Sequence, residues 1–461
     1  MEWAAQLSEP FKIKMVEPIH LPPGELREKR IAEGNYNLFK LKRDEIFIDL
    51  LTDSGTSAMS DNQWAGIMLG DESYAGSRSF DNLREAVRDI LGFEYVIPTH
   101  QGRPAEHYLF EALLTPGQHV PFNMSFDTTG ANLIALGGHE VECVIDEAYE
   151  PSTEHPFKGN LDLEKMEKVL KEYGRENVPL IMVTITNNSG GGQPVSMQNI
   201  RDIRAFADKY DLPFFFDAAR CVENAWFIHM REKGYENTPV AEILKEEMSY
   251  VDGCTFSCKK DALVNMGGMI ALRNEKIYEK IVPLLILQEG FITYGGMSGR
   301  DVEALARGLR EMVVDDYISY RIDQVAYLGD KIHDLGIPMI RPVGGHAVFI
   351  DAAAFFPHLP REQFPAEVLG VELYRECGVR GVGLGALAFM EEDPETGSIT
   401  YPELELFRLA IPRRVYTHRH LDVVAEGLRR VYERRKEVKG LTIVSAPRYL
   451  KHFLAKLDRV P

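Results

Sequence analysis

Phe256-Ser257-Cys258-Lys259-Lys260-Asp261 follows an apolar, strand-like run, Tyr250–Thr255. A lysine at a strand end in a buried sheet loses hydration, which lowers its pKa and suits its amine to Schiff-base formation. In isolation the same letters also describe a solvated surface pair. Upstream, Phe214-Phe215-Phe216-Asp217-Ala218-Ala219-Arg220 puts a carboxylate at the end of a strongly apolar strand. A buried Asp there can keep a pyridine nitrogen protonated, as pyridoxal 5′-phosphate (PLP) needs in order to act as an electron sink. It can equally cap a helix beginning at Ala218. The interval to Lys260 leaves room for one helix and one strand. Thr99-His100-Gln101-Gly102-Arg103-Pro104-Ala105-Glu106 joins the strand-like Tyr95–Pro98 to an apolar-striped helix, with Pro104 in its first turn. Backbone N–H groups at Gln101, Gly102 and Arg103 would face a phosphate, and Ser257 could add a hydroxyl. Many strand-to-helix turns contain glycine, so this turn alone is a weak signal. Ile411-Pro412-Arg413-Arg414 offers an arginine to clamp a carboxylate bidentately, or a surface ion pair.

The elements that must hold these groups follow from patterning. Tyr95–Pro98, Pro179–Thr186 and Leu212–Phe216 are short apolar runs, each leading into polar or glycine-rich residues, between amphipathic stretches. That is the texture of an α/β fold around a mostly parallel sheet, whose ligands bind beyond the carboxyl ends of the strands. After about Met312 the texture changes to a helix, Tyr317–Leu335, a strand, Ala347–Ile350, and a long helix, Leu421–Lys439, which reads as a second, smaller α+β domain. The chain of 461 residues suits that pair of domains. The formal net charge of −18 argues against nucleic acid or an anionic membrane as partner. No apolar run reaches the ~20 residues needed to cross a bilayer. Met1–Pro10 has no signal-peptide pattern. The 5 cysteines (Cys143, Cys221, Cys254, Cys258 and Cys377) fit neither a disulfide framework nor a zinc site. The expectation is a reduced, cytoplasmic protein.

With their flanks, these residues resemble the tryptophanase and tyrosine phenol-lyase family of β-eliminating lyases. The resemblance runs from Glu9-Pro10-Phe11 to the C-terminus. It is most specific in Ile48-Asp49-Leu50-Leu51-Thr52-Asp53-Ser54-Gly55-Thr56 and in Gly70-Asp71-Glu72-Ser73-Tyr74-Ala75-Gly76. Gly191-Gly192-Gln193-Pro194-Val195-Ser196 and Pro342-Val343-Gly344-Gly345-His346-Ala347 carry it further. It implies the aspartate aminotransferase-like fold of PLP-dependent transferases. It also implies an N-terminal arm (residues 1–18), a small domain (19–56 and 313–461) and a large PLP-binding domain (57–312).

Residue by residue, the resemblance implies Lys260 as the Schiff-base lysine, with Lys259 its neighbour by a monovalent-cation region. Asp217 is the partner of the pyridine nitrogen, and Asn188 and Arg220 contact the ring oxygen. Gln101, Gly102 and Ser257 belong to the phosphate site, and Phe126 stacks on the cofactor. Arg413 clamps the substrate carboxylate, and Tyr74 protonates the leaving group. Glu72, with carbonyls at Gly55 and Asn265, forms a potassium site. The family is a homotetramer acting on small amino acids.

Within the family, phenol-lyases resemble one another in a threonine and an arginine that bind the phenolic hydroxyl. Here those positions are Asp127 and Leu384. Asp127, Phe291 and His452 resemble the tryptophanase pattern, although His452 also reads as a packing histidine. Gly383 departs from an acidic residue of both branches, and Pro104 from a glycine. The short loop before Phe126 and much of Ala58–Gly76 are phenol-lyase-like. The expected reaction is β-elimination of L-tryptophan to indole, pyruvate and ammonia. The alternatives are tyrosine phenol-lyase activity or a PLP aminotransferase.

Overall fold

The computed structural model describes residues 8–393, 396–447 and 450–461. The described residues form two compact units, one within Met1–Asp53, Tyr149–His155 and Asp323–Pro461, the other Ser54–Ala148 and Pro156–Ile322.

The larger unit is built on a seven-stranded sheet. Its strands are Tyr95–Thr99 (β1), His119–Phe122 (β2), His139–Glu142 (β3), Ile181–Thr184 (β4), Phe214–Asp217 (β5), Gly253–Phe256 (β6) and Gly268–Leu272 (β7). They lie in the order β1-β7-β6-β5-β4-β2-β3. All pairings are parallel except those of β7, which runs antiparallel to β1 and β6. β4, β5, β6 and β7 are buried along their whole length, as strands covered on both faces must be. Successive side chains serve opposite faces: Phe214 and Phe216 enter one apolar core and Phe215 another.

Several element boundaries differ from the sequence expectation. Helix Val240–Ser249 continues into Tyr250, whose amide donates to Glu247, so β6 begins at Gly253 rather than Tyr250. β5 begins after Pro213, a residue that has no amide to give a ladder, and runs one residue further, through Asp217. β4 is likewise shorter than Pro179–Thr186. The long C-terminal helix spans His418–Glu433, where the Thr417 amide donates to His420 at 3.1 Å, and a separate turn, Arg435–Glu437, follows it.

The smaller unit holds a three-stranded antiparallel sheet of Ala347–Asp351 (β8), Val382–Leu384 (β9) and Leu406–Ala410 (β10), ordered β9-β10-β8. Ile48–Asp49 pairs in parallel with Val379–Arg380. The units divide at Ile322/Asp323, inside helix Asp315–Asp334. Tyr149–His155 belongs with the smaller unit, where the Arg341 amide donates to Pro151 at 2.7 Å and its guanidinium pairs with Glu154 at 3.0 Å. Among the described residues, no helix is long and apolar enough to cross a membrane.

Candidate active site

Parallel pairing brings the carboxyl ends of the central strands to one edge of the larger unit. Thr184 is in register with Asp217, and Asp217 with Thr255. Asp217 is 7% exposed, and one of its carboxylate oxygens accepts the Ala219 amide at 3.2 Å. Burial raises its pKa, while the Lys260 ammonium and then, more weakly, Arg220 pull it back toward the charged form. Beyond the end of β6, Lys260 Nζ donates to Ser257 Oγ at 2.8 Å.

Next to Ser257 begins a helix, Gly102–Leu113 (α1), which has no side-chain hydrogen bond capping its N-terminus. The chain is packed so tightly there that a Cβ on Gly102 would lie 2.7 Å from the Ser257 Cβ. A Cβ on Gly268 would lie 2.3 Å from the Gln101 carbonyl. The turn before the helix is held by Glu289, which accepts the His100 amide at 3.0 Å and meets its ring at 2.5 Å. Free helix amides beside a hydroxyl and a lysine suit a phosphate. A half-buried amine and a buried carboxylate suit an aldehyde and a pyridine nitrogen. These residues therefore fit PLP.

Phe126 and Asp127 stand at the start of a second helix, Asp127–Ala135 (α2), both half-buried. The Asp127 carboxylate accepts the Thr128 amide at 2.7 Å. Asn188 and Arg220 are buried, and the Arg220 amide donates to Ile185 at 3.3 Å. Arg103 is exposed. Lys259 turns toward Gly55, whose positive φ of 75° and missing side chain leave room for it: a Cβ there would sit 2.6 Å from Lys259 Cε. Burial and then the Arg103 charge lower the Lys259 pKa. Asn265 is close by, donating to the Gly55 and Ser57 carbonyls at 3.0 Å each.

Glu72 is engaged differently. Its carboxylate accepts the amides of Gly299 and Arg300 at 2.9 and 3.2 Å, at the start of helix Gly299–Glu311 (α3), and pairs with the Arg300 guanidinium at 3.0 Å. Tyr74 is 64% exposed and stacks on Phe291 with ring centroids 5.4 Å apart. Its hydrogen bond with Tyr294 raises its pKa, which keeps the phenol protonated.

Arg413, Leu384 and His452 belong to the smaller unit and are all buried. Arg413 Nη1 pairs with Asp53 at 2.9 Å, both side chains fully inaccessible. Such a pair fixes the guanidinium plane, and loss of either partner would strand a buried charge. His452 packs edge-on to Phe39 at 5.9 Å and against Phe453 at 4.0 Å, while its carbonyl accepts from Asn37.

Sequence reasoning gave no role to Asp53 or to Glu106. The latter points inward from α1 and accepts from Thr128, Thr129 and Asn132 of α2 at 3.4, 2.9 and 3.2 Å. It thus ties the candidate phosphate helix to the helix that presents Phe126 and Asp127. The readable signal was a carboxylate on the apolar stripe of an amphipathic helix. Burial, and after it the Asp217 charge, push Glu106 up to about 8 from 4.5. Between those pH values the folded protein keeps a proton that the unfolded chain releases, so this group's contribution to stability falls as pH rises through that window. In Glu106→Gln that dependence should vanish. Urea unfolding across the window should show wild type losing up to ~1.4 kcal/mol per pH unit relative to the variant. Parallel curves would refute the shift.

Comparison with known proteins places this geometry. An aromatic aminotransferase from Pyrococcus horikoshii superposes with a TM-score of 0.60 at 14% identity, covering 89% of this chain and 100% of that one. The fold is therefore the PLP-dependent aminotransferase type expected from the sequence. Tyrosine phenol-lyase of Symbiobacterium thermophilum is 51% identical over 453 residues, 98% of this chain and 99% of that protein. Tryptophanase of Salinibacter ruber is also 51% identical, over 449 residues, 97% of this chain and 95% of its own length. The family model for β-eliminating lyases matches residues 49–427, a span that contains Lys260, Asp217 and Arg413. Fold, relatives and family model agree, and the chain belongs to the β-eliminating lyases, a family of enzymes.

Proposed function

We propose that this enzyme cleaves L-tryptophan with water to indole, pyruvate and ammonia. The observation that carries the reading is Leu384, a buried apolar side chain that can donate nothing to a phenolic hydroxyl, in combination with the acceptor Asp127. Bound PLP supplies an electron sink for the carbanion formed at the substrate Cα. In this reading Arg413, braced by Asp53, orients the substrate carboxylate. Lys260 takes the α-proton, and Asp217 keeps the ring nitrogen charged. An aromatic carbanion is a poor leaving group, so a proton must reach the ring carbon before the bond breaks; Tyr74 is the assigned acid.

A second reading, L-tyrosine to phenol, is favoured by the Symbiobacterium relative and by others of the same name at similar identity. The test is a panel of L-amino acids assayed for pyruvate, with indole and phenol measured separately. Indole released faster than phenol under matched conditions supports the first reading, and the reverse order replaces it with the second. The proposal carries with it a homotetramer and a potassium requirement. Light scattering checks the assembly, and full activity after exchange of potassium for sodium would remove the cation.

A further inference from the structure

Glu367 lies on helix Pro365–Cys377 (α4) of the smaller unit and is 9% exposed. Both its carboxyl oxygens are buried with no hydrogen-bond partner among the described residues. Its neighbour Glu405 is satisfied, accepting the Ala366 and Ala386 amides at 3.1 and 2.7 Å. Burial, and then the Glu405 charge, push Glu367 well above the usual carboxylate range, so it keeps its proton. It then has an O–H to donate and a carbonyl to accept with.

The space Glu367 fills exists because residue 383 is glycine. A Cβ on Gly383 would lie 2.4 Å from Glu367 Oε1. Glu367, Gly383 and His452 line one cavity of ≈ 20 Å³, walled otherwise by side chains such as Phe39 and Leu457. That volume holds about one water, and a buried water is stable where it meets polar partners. A buried carboxyl left without a partner is correspondingly rare.

We propose that one ordered water in this cavity joins the Glu367 carboxyl to the His452 imidazole, making Glu367 the positioning residue that sets the orientation of His452. This takes His452, one of the residues that resemble the tryptophanase pattern, to meet the leaving ring, and so rests on the tryptophan reading. Glu367 acts through His452 and the water and touches no substrate. Gly383 is part of the device, since a side chain there would expel the carboxyl.

The test uses the holoenzyme and combines a high-resolution crystal structure with kinetics on L-tryptophan and on 3-chloro-L-alanine, which has no ring. Wild type should show the water, Glu367→Gln should keep it, and Glu367→Leu and Gly383→Ala should lose it. The ratio of kcat/KM for tryptophan to that for 3-chloro-L-alanine should fall about tenfold in the two variants that lose the water, the worth of one hydrogen bond. Glu367→Gln should restore the ratio. An empty cavity in wild type overturns the proposal, as does a loss in Glu367→Leu that is equal for both substrates. If wild type releases phenol rather than indole, the tryptophan reading fails by itself, while the water in the crystal still judges this one.

Discussion

Lys260→Ala is expected to reduce elimination by at least ~10⁴-fold, since it removes the group assigned both to hold the cofactor and to move the α-proton. Its neighbour supplies the sharpest control. Burial lowers the Lys259 pKa, but its side chain turns toward Gly55, whereas Lys260 donates to Ser257 and is felt electrostatically by Asp217 and Glu106. Borohydride reduction followed by peptide mapping should therefore find the cofactor on Lys260, and the absorption band of the bound cofactor should be missing in Lys260→Ala. Label on Lys259 would overturn the assignment. Removing the Lys260 cation should also let the Asp217 and Glu106 carboxyls rise further, because its charge lowers both.

The second large effect concerns the leaving group. A site built to hydrogen-bond a group of its substrate can reject a competitor that lacks the group by ~10⁴-fold, and Asp127 can accept from an indole N–H, so wild-type kcat/KM for tryptophan should exceed that for tyrosine by a wide margin. Asp127→Thr combined with Leu384→Arg should shift the ratio toward tyrosine by about 10²-fold. The gain is limited by where residue 384 lies. The Cβ direction of Gly383 points at Glu367, and successive strand residues face opposite ways, so an arginine at 384 points away from that acid. A buried guanidinium without a carboxylate partner costs stability, and the double variant should unfold earlier than wild type. An unchanged substrate ratio in a folded double variant would show that other residues choose the ring.

How much of this was legible in the chain can be judged from particular residues. The α/β class, the buried strands and the strand-end positions of Asp217 and Lys260 followed from local pattern, because burial on both faces of a parallel sheet demands continuous apolar runs and leaves the strand ends to carry polar groups. The family could be read from the same letters. Partnerships could not. Asp53 and Arg413 stand 360 positions apart yet form a fully buried pair, and local periodicity holds no information about a contact at that separation. Glu106 could be read as a carboxylate on the apolar stripe of its helix, but not the three donors of α2 that cover it. Lys259 and Lys260 are chemically alike as letters. Only the glycine at 55 and the hydroxyl at 257 turn them in different directions. Gly383 and Glu367 form one unit because a strand and a helix compete for the same few cubic ångströms. Sequence determined which chemistry was on hand and which strands would present it. The tertiary structure decided which charges are buried, which are paired and which way each side chain faces, since those depend on desolvation and close packing between segments far apart in the chain.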